Sequence, residues 1–131
     1  MRQIVYISTA IGMDEAQAAG ILGASQANNR RDDITGLLYF DGKRFLQAIE
    51  GEEPHLTRTL ERIRADARHR AIVVLSDRDV ETREFGSWAM ASRRPGEDAR
   101  AFIAQVAALV RNASPDIRAT FEGLATARAT A

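Results

Sequence analysis

Tyr6 and Gln47 are polar side chains on faces that the surrounding residues mark for burial. Tyr6 sits in the middle of the alternating segment Gln3 to Ser8, and Gln47 shares a strand face with Phe45 and Ile49. A buried phenol, with an ordinary pKa near 10, needs a partner, and a buried amide needs its donors and acceptor matched. Each can therefore satisfy the other. Such a pair is commonly a plain core contact, and it becomes a relay only if something polar and flat lies beside it. Asn28-Asn29 ends a helical pattern; asparagine often terminates helices, but two adjacent amides also offer enough donors and acceptors to bracket an imide edge. Arg62 and Asp66 are one helical turn apart, where a surface ion pair is the usual outcome. Arg68-His69 follows at the expected helix end, where cations meet the negative end of the dipole. Trp88 and Met90 project from one face of a last strand, and methionine repacks easily.

Several chemistries are excluded or disfavoured by composition. The 131 residues contain no cysteine, which removes disulfides and thiolate sites, and only two histidines, His55 and His69, so a histidine-rich metal centre is not expected. Eighteen basic residues balance eighteen acidic ones. The net charge is zero, which gives no sequence-wide reason to bind nucleic acid or an anionic membrane. No apolar run approaches the roughly 20 residues needed to span a bilayer, and the N-terminus enters a strand pattern without a signal peptide. A cytoplasmic protein is the default expectation.

The elements that position these residues follow from periodicity. Gln3 to Ser8 reads as a strand, broken by Gly12. Asp14 is placed to cap a helix with an apolar stripe at Ala16, Ala19, Leu22 and Ala27, and small residues (Ala18, Ala19, Gly20, Gly23, Ala24) line its surface. Ile34 to Phe40 is a central strand, Asp41-Gly42 a hairpin turn, and Arg44 to Glu50 the returning strand, with Leu46, Ala48 and Glu50 opposite the Gln47 face. Pro54 to His69 is helical, with Leu56, Leu60, Ile63 and Ala67 facing the core. Ala71 to Asp77 reads as a further buried strand, and Phe85, Trp88 and Met90 as the last. Arg93-Arg94-Pro95-Gly96 closes this unit. Two helices follow, one carrying Phe102, Ile103, Val106, Leu109 and Val110, the other Ile117, Phe121 and Leu124, with a frayed tail after Gly123. The order β-α-β-β-α-β-β plus two helices is an α+β sandwich of ferredoxin-like type, with the extra helices expected on the opposite sheet face. The expected division is 1–94 for the first unit and 95–131 for the helical extension.

Taken together and in order, Tyr6-x-Ser8, Ser25 to Asn29, Ile34-Thr35-Gly36-Leu37-Leu38, Phe45 to Gly51, Arg62-Ile63-x-x-Asp66-x-Arg68-His69 and Phe85-x-x-Trp88-x-Met90 resemble the BLUF family of blue-light receptors using FAD. The resemblance runs from about Gln3 to Ser92. It implies a non-covalently bound flavin, FAD by family habit with FMN or riboflavin compatible, lying between the first two helices. It implies Asn28 and Asn29 at the imide edge, with Asn28 at the C4 carbonyl and N3. Gln47 would lie between the flavin N5/O4 edge and Tyr6, and Arg62 at O2. Asp66 would lie near the ribityl region, with Arg68 and His69 close by, and Ile21, Leu22 and Ile63 as walls. The implied photochemistry is electron and proton transfer from Tyr6 and a rearrangement of Gln47, with Trp88 and Met90 exchanging position. The resemblance also implies a receptor without enzymatic activity that signals to a separate protein partner and forms a homodimer, a short stand-alone member with no appended effector domain.

Two other classes share the fold. An acylphosphatase-like hydrolase would need an arginine in a glycine-rich loop after the first strand, and Thr9-Ala10-Ile11-Gly12 lacks one. A nucleic-acid-binding module would need exposed aromatics among basic residues on the central strands.

Overall fold

Arg2–Ala10 forms the first strand, β1, longer than its clearest alternation, because its inward residues Ile4 and Tyr6 and its opposite-facing Val5 are all buried. The computed structural model describes residues 1–10, 20, 24, 26–66, 69–92 and 98–129. Helix α1 is described as continuous over residues 26–31, so its expected start at Asp14 and its stripe at Ala16, Ala19 and Leu22 lie outside the described residues. Ala27, expected in that stripe, is exposed, as are Gly20 and Ala24. The hairpin follows as β2 (Thr35–Phe40) and β3 (Arg44–Gly51). Asp41 fastens its turn by accepting from the Lys43 and Arg44 N–H groups at 3.0 and 2.9 Å, and Gly42 takes φ 90°.

Helix α2 spans Glu53–Ala65, with Pro54 in its first turn and Leu56 and Thr59 buried. It ends earlier than the pattern suggested. Asp66 is its extended C-cap and donates its N–H to Ile63 O at 3.1 Å, and His69 opens the next strand. That strand, β4 (His69–Asp79), is not buried as expected: Val73, Val74 and Leu75 are 51%, 36% and 49% exposed. A run of apolar residues reads alike whether a strand is central or at an edge, and β4 is an edge. β5 is Trp88–Ser92, and Phe85 precedes it as a buried loop residue rather than a strand member. The C-terminal helices are α3 (Ala99–Leu109) and α4 (Pro115–Ala129). The expected fraying after Gly123 is not found as far as Ala129; the helix continues to that residue, and Ala125 is fully buried in the cluster under the sheet.

The sheet order is β4-β1-β3-β2-β5, antiparallel except for β2 with β5. One face carries Val5, Leu37, Tyr39, Leu46, Ala48 and Ala91 against Phe102, Val106, Ile117 and Phe121 of α3 and α4, the covering the sequence suggested. The other carries Ile4, Ile49 and Leu38 toward Leu56 of α2, with Trp88 and Met90 packed alongside. The ladder between β1 and β4 shifts register on both sides of Tyr6, with an extra residue in β4 each time. Such bulges twist an edge strand and re-aim its neighbours.

Candidate functional site

The strand register brings Tyr6 and Gln47 together. They are direct cross-strand partners, and Gln47 lies opposite Leu38, which lies opposite Met90. Tyr6, Gln47, Leu38 and Met90 therefore form one row across the sheet, on the face that α2 covers. The Tyr6 hydroxyl donates to Gln47 Oε1, both residues being almost fully buried. Burial, and then the negative charge of Asp66, push the Tyr6 phenol well above its ordinary pKa. Tyr6 is thus a neutral hydrogen-bond donor at any working pH. The amide that receives this bond keeps its NH2 end for another acceptor, and turning it by half a revolution would exchange the two ends.

Asn29 and Trp88 meet a second requirement. Both line a cavity of about 300 Å³ together with Gln26, Arg30, Asp33, Ile34, Thr35 and Ser87. The Asn29 Nδ2 and Trp88 Nε1 groups are buried and find no partner among the described residues. An unpaired buried donor costs about 1–3 kcal/mol, so both call for an acceptor. A flat group with carbonyl oxygens along one edge, as in a flavin imide, fits that need. Of the two asparagines, Asn29 is buried and Asn28 only half-buried.

Arg62 forms an ion pair with Asp32 at 3.2 Å and also donates to Thr59 Oγ1 at 3.1 Å. Hydrogen bonding from Arg31, and then from Arg62, outweighs burial and holds the Asp32 carboxyl below the usual range. Asp32 also donates its N–H to Asn28 O at 3.1 Å, so it ties the end of α1 to α2. Ile63 is half-buried on α2, and Asp66 acts electrostatically on Tyr6. Trp88 packs against both apolar clusters of this face, that of Ile4, Ile34, Ile49 and Leu56 and that of Leu38, Phe40 and Phe45. Ile21, Leu22 and Arg68 lie outside the described residues, and His69 is placed only as the first residue of β4.

Sequence reasoning missed Asp32, and it also missed Glu50. Glu50 is fully buried and accepts from Gln3, Thr35 and the N–H groups of Glu84 and Phe85. A signal for Glu50 was available: a carboxylate alternating with Leu46 and Ala48 on a buried face demands several donors. Asp32, in a run of charged residues after a helix, carried none.

A ferredoxin-like sheet with a buried Tyr–Gln bond, and with two unpaired buried donors on a cavity, suits a domain that holds a flat, acceptor-edged ligand. The BLUF family model, described as "Sensors of blue-light using FAD", matches residues 1–91, and this chain belongs to that family. It is similar to the photoactivated adenylate cyclase subunit beta of Euglena gracilis, 28% identical over 93 residues that cover 69% of this chain and 11% of that protein. Subunit alpha of the same organism is 27% identical over 69% of this chain and 9% of its own length. The chain thus spans about a tenth of the curated relatives it matches. Among solved structures, the dark state of BlrB, a BLUF protein, superposes with a TM-score of 0.72 at 26% identity, covering 98% of this chain and 95% of that one. A bacterial light-regulated adenylyl cyclase gives 0.68 at 31% identity, over 92% of this chain and 35% of its own. The domain is a blue-light flavin sensor of ferredoxin-like fold. The hydrolase and nucleic-acid alternatives find no support in these comparisons. No helix among the described residues is long and apolar enough to cross a membrane.

Proposed function

We propose that this chain is a photoswitch whose moving part is the Tyr6–Gln47 hydrogen bond, with FAD as the flavin and FMN or riboflavin also accommodated. The observation that carries the reading is that bond, buried in the sheet row that ends at Met90. Bound flavin would supply blue absorption and, when excited, a strong oxidant. Asn29 would hold the imide edge in preference to Asn28, because its buried Nδ2 lacks an acceptor. Gln47 would face the N5/O4 edge and Arg62 would reach O2. Asp66 and Ile63, with Ile21, Leu22, Arg68 and His69, would complete the surround.

With excited flavin as the electron acceptor and later donor, Tyr6 would give up an electron, pass its hydroxyl proton toward Gln47 Oε1, and then regain both. Asp66 favours the electron loss, since a nearby negative charge stabilises an oxidised tyrosine. Gln47 is left rotated or tautomerised, and nothing is consumed. A change worth about 1 kcal/mol shifts a two-state equilibrium by less than tenfold, so the element that responds must already be nearly balanced. Trp88 and Met90 on β5 suit that role, Trp88 because its indole N–H is unpaired. The chain itself performs no enzymatic reaction in this reading. Residues 1–94 form the flavin unit and 95–131 the helical extension. The signal passes to a separate protein, the chain acts as a homodimer, and its location is cytoplasmic.

Illumination of the purified, flavin-loaded protein tests this directly. Blue light should shift its visible absorption slightly to the red, reverting in the dark. Tyr6→Phe should keep the flavin and lose the shift. A colourless preparation that takes up no added flavin, or a normal shift in Tyr6→Phe, overturns the reading.

A further inference from the structure

Glu50 is a titratable group that the switch above does not use. It is fully buried, and its carboxylate receives four donors, two on each oxygen. Oε2 accepts from Gln3 Nε2 at 2.9 Å and Glu84 N at 2.8 Å; Oε1 accepts from Phe85 N at 2.9 Å and Thr35 Oγ1 at 3.5 Å. Removing a carboxylate from water is expensive, and an apolar residue would serve packing at lower cost. What the carboxylate achieves is specific. It holds two consecutive backbone N–H groups of the loop that leads into β5, with only Gly86 and Ser87 between Phe85 and Trp88.

The same loop is fastened on two other sides. Arg83 donates to Thr35 Oγ1 at 2.7 Å, to Glu50 O at 3.1 Å and to Asp33 O at 2.9 Å. The Glu84 carboxylate accepts from Gln3 Nε2 at 3.1 Å and from Ser114 N at 3.3 Å, in the turn between α3 and α4. Arg78 of β4 donates to Glu84 and to Ser114 Oγ. Burial opposes ionisation of Glu84, but its bonds from Gln3, Ser114 and Arg78 outweigh that and hold its carboxyl below the usual range. A continuous set of hydrogen bonds therefore runs from the end of β3, through the loop before β5, to the α3–α4 turn. It lies on the side of the sheet away from Tyr6 and Gln47.

We infer that Glu50 is a positioning residue that couples β5 to the turn between α3 and α4, so that movement of Trp88 and Met90 is felt at Ser114. This rests on the photoswitch reading, in which β5 is the element that responds. Displacement of β5 along β2 pulls on Phe85 and Glu84, which Glu50 prevents from giving way locally. The pull is then delivered through the Glu84 carboxylate to Ser114 N.

Hydrogen exchange of the flavin-loaded full chain, compared in light and dark over residues 110–118, tests the coupling. The wild-type protein should show a light-dependent change there. Glu50→Gln keeps the shape but puts an NH2 group where one oxygen receives two donors, so two of the four bonds are lost. It should retain the red shift and lose the light-dependent exchange change. Glu84→Ala leaves the four bonds of the Glu50 clamp in place and removes the carboxylate that ties the loop to Ser114, Arg78 and Gln3. It should behave the same way, and it covers the case in which Glu50→Gln does not fold. No light-dependent change in the wild type, or an unaltered change in Glu84→Ala, overturns the inference while the red shift still reports the photoswitch. Loss of the red shift in the wild type would instead overturn the switch itself.

Discussion

Replacing Tyr6 with Phe removes one buried hydroxyl and nothing else of size. Its partner, Gln47 Oε1, is left in a site where the residue is only 3% exposed. The cost is that of an orphaned buried acceptor, about 1–3 kcal/mol. Gln47→Leu does the converse, stranding the Tyr6 hydroxyl at similar cost. In the double variant the Tyr6–Gln47 pair itself leaves no atom unmatched, and an apolar pair of matching shape is close to neutral. The two single losses should therefore exceed the double by about 1 kcal/mol or more. Urea unfolding at saturating flavin measures all four proteins. With a slope of about 1–3 kcal/mol/M, each single substitution should lower the midpoint by roughly 1 M, and the double by less than their sum. Additivity within about 0.5 kcal/mol would mean that the two side chains are not bonded to each other, and would refute the pairing.

Two further outcomes follow from the same framework. Gly36 takes φ 153°, and a Cβ there would lie 1.9 Å from Ala48 O in the neighbouring strand, so neither backbone partner can yield. Gly36→Ala should cost about 3 kcal/mol or more, seen as a lowered urea midpoint or loss of soluble protein; an unchanged midpoint would contradict the geometry. Glu84 has a depressed folded-state pKa, so the stability it contributes is present above its unfolded value and is lost as pH falls through the folded one. The difference in midpoint between wild type and Glu84→Gln should be full at pH 7 and shrink below about pH 4, and a difference independent of pH would count against the network.

The fold was legible because its central strands are strongly patterned. Thr35 to Phe40 and Arg44 to Gly51 carry continuous or alternating apolar residues around a turn whose chemistry names itself. What misled was β4. Ile72 to Leu75 has the composition of a central strand, and only the pairing partners of a strand decide whether it is inside or at an edge. The end of α4 was misjudged for a related reason. Alanine is uninformative about burial, so Ala125 gave no hint that it reaches the sheet. Helix α2 stops at Ala65 where Arg62-Ile63-x-x-Asp66 suggests another turn, because the chain must reverse into β4 at His69.

The site divides along the same line. Tyr6 and Gln47 stood out because polar groups on apolar strand faces need partners, and each supplied the other's. Glu50 obeys that rule equally, yet two of its four partners are backbone N–H groups of a loop, which no side-chain pattern announces. The two residues are three apart on β3 and therefore face opposite sides of the sheet. Gln47 looks toward α2 and the proposed chromophore, Glu50 toward α3 and α4. A single strand thus presents the polar group that would sense light on one face and a polar group that grips the next loop on the other. β5 lies at the far edge of that sheet, in the Gln47 row through Met90 and within three residues of the Glu50 clamp at Phe85. That shared strand, with β5 beside β2, is the physical ground for expecting the two faces to respond together.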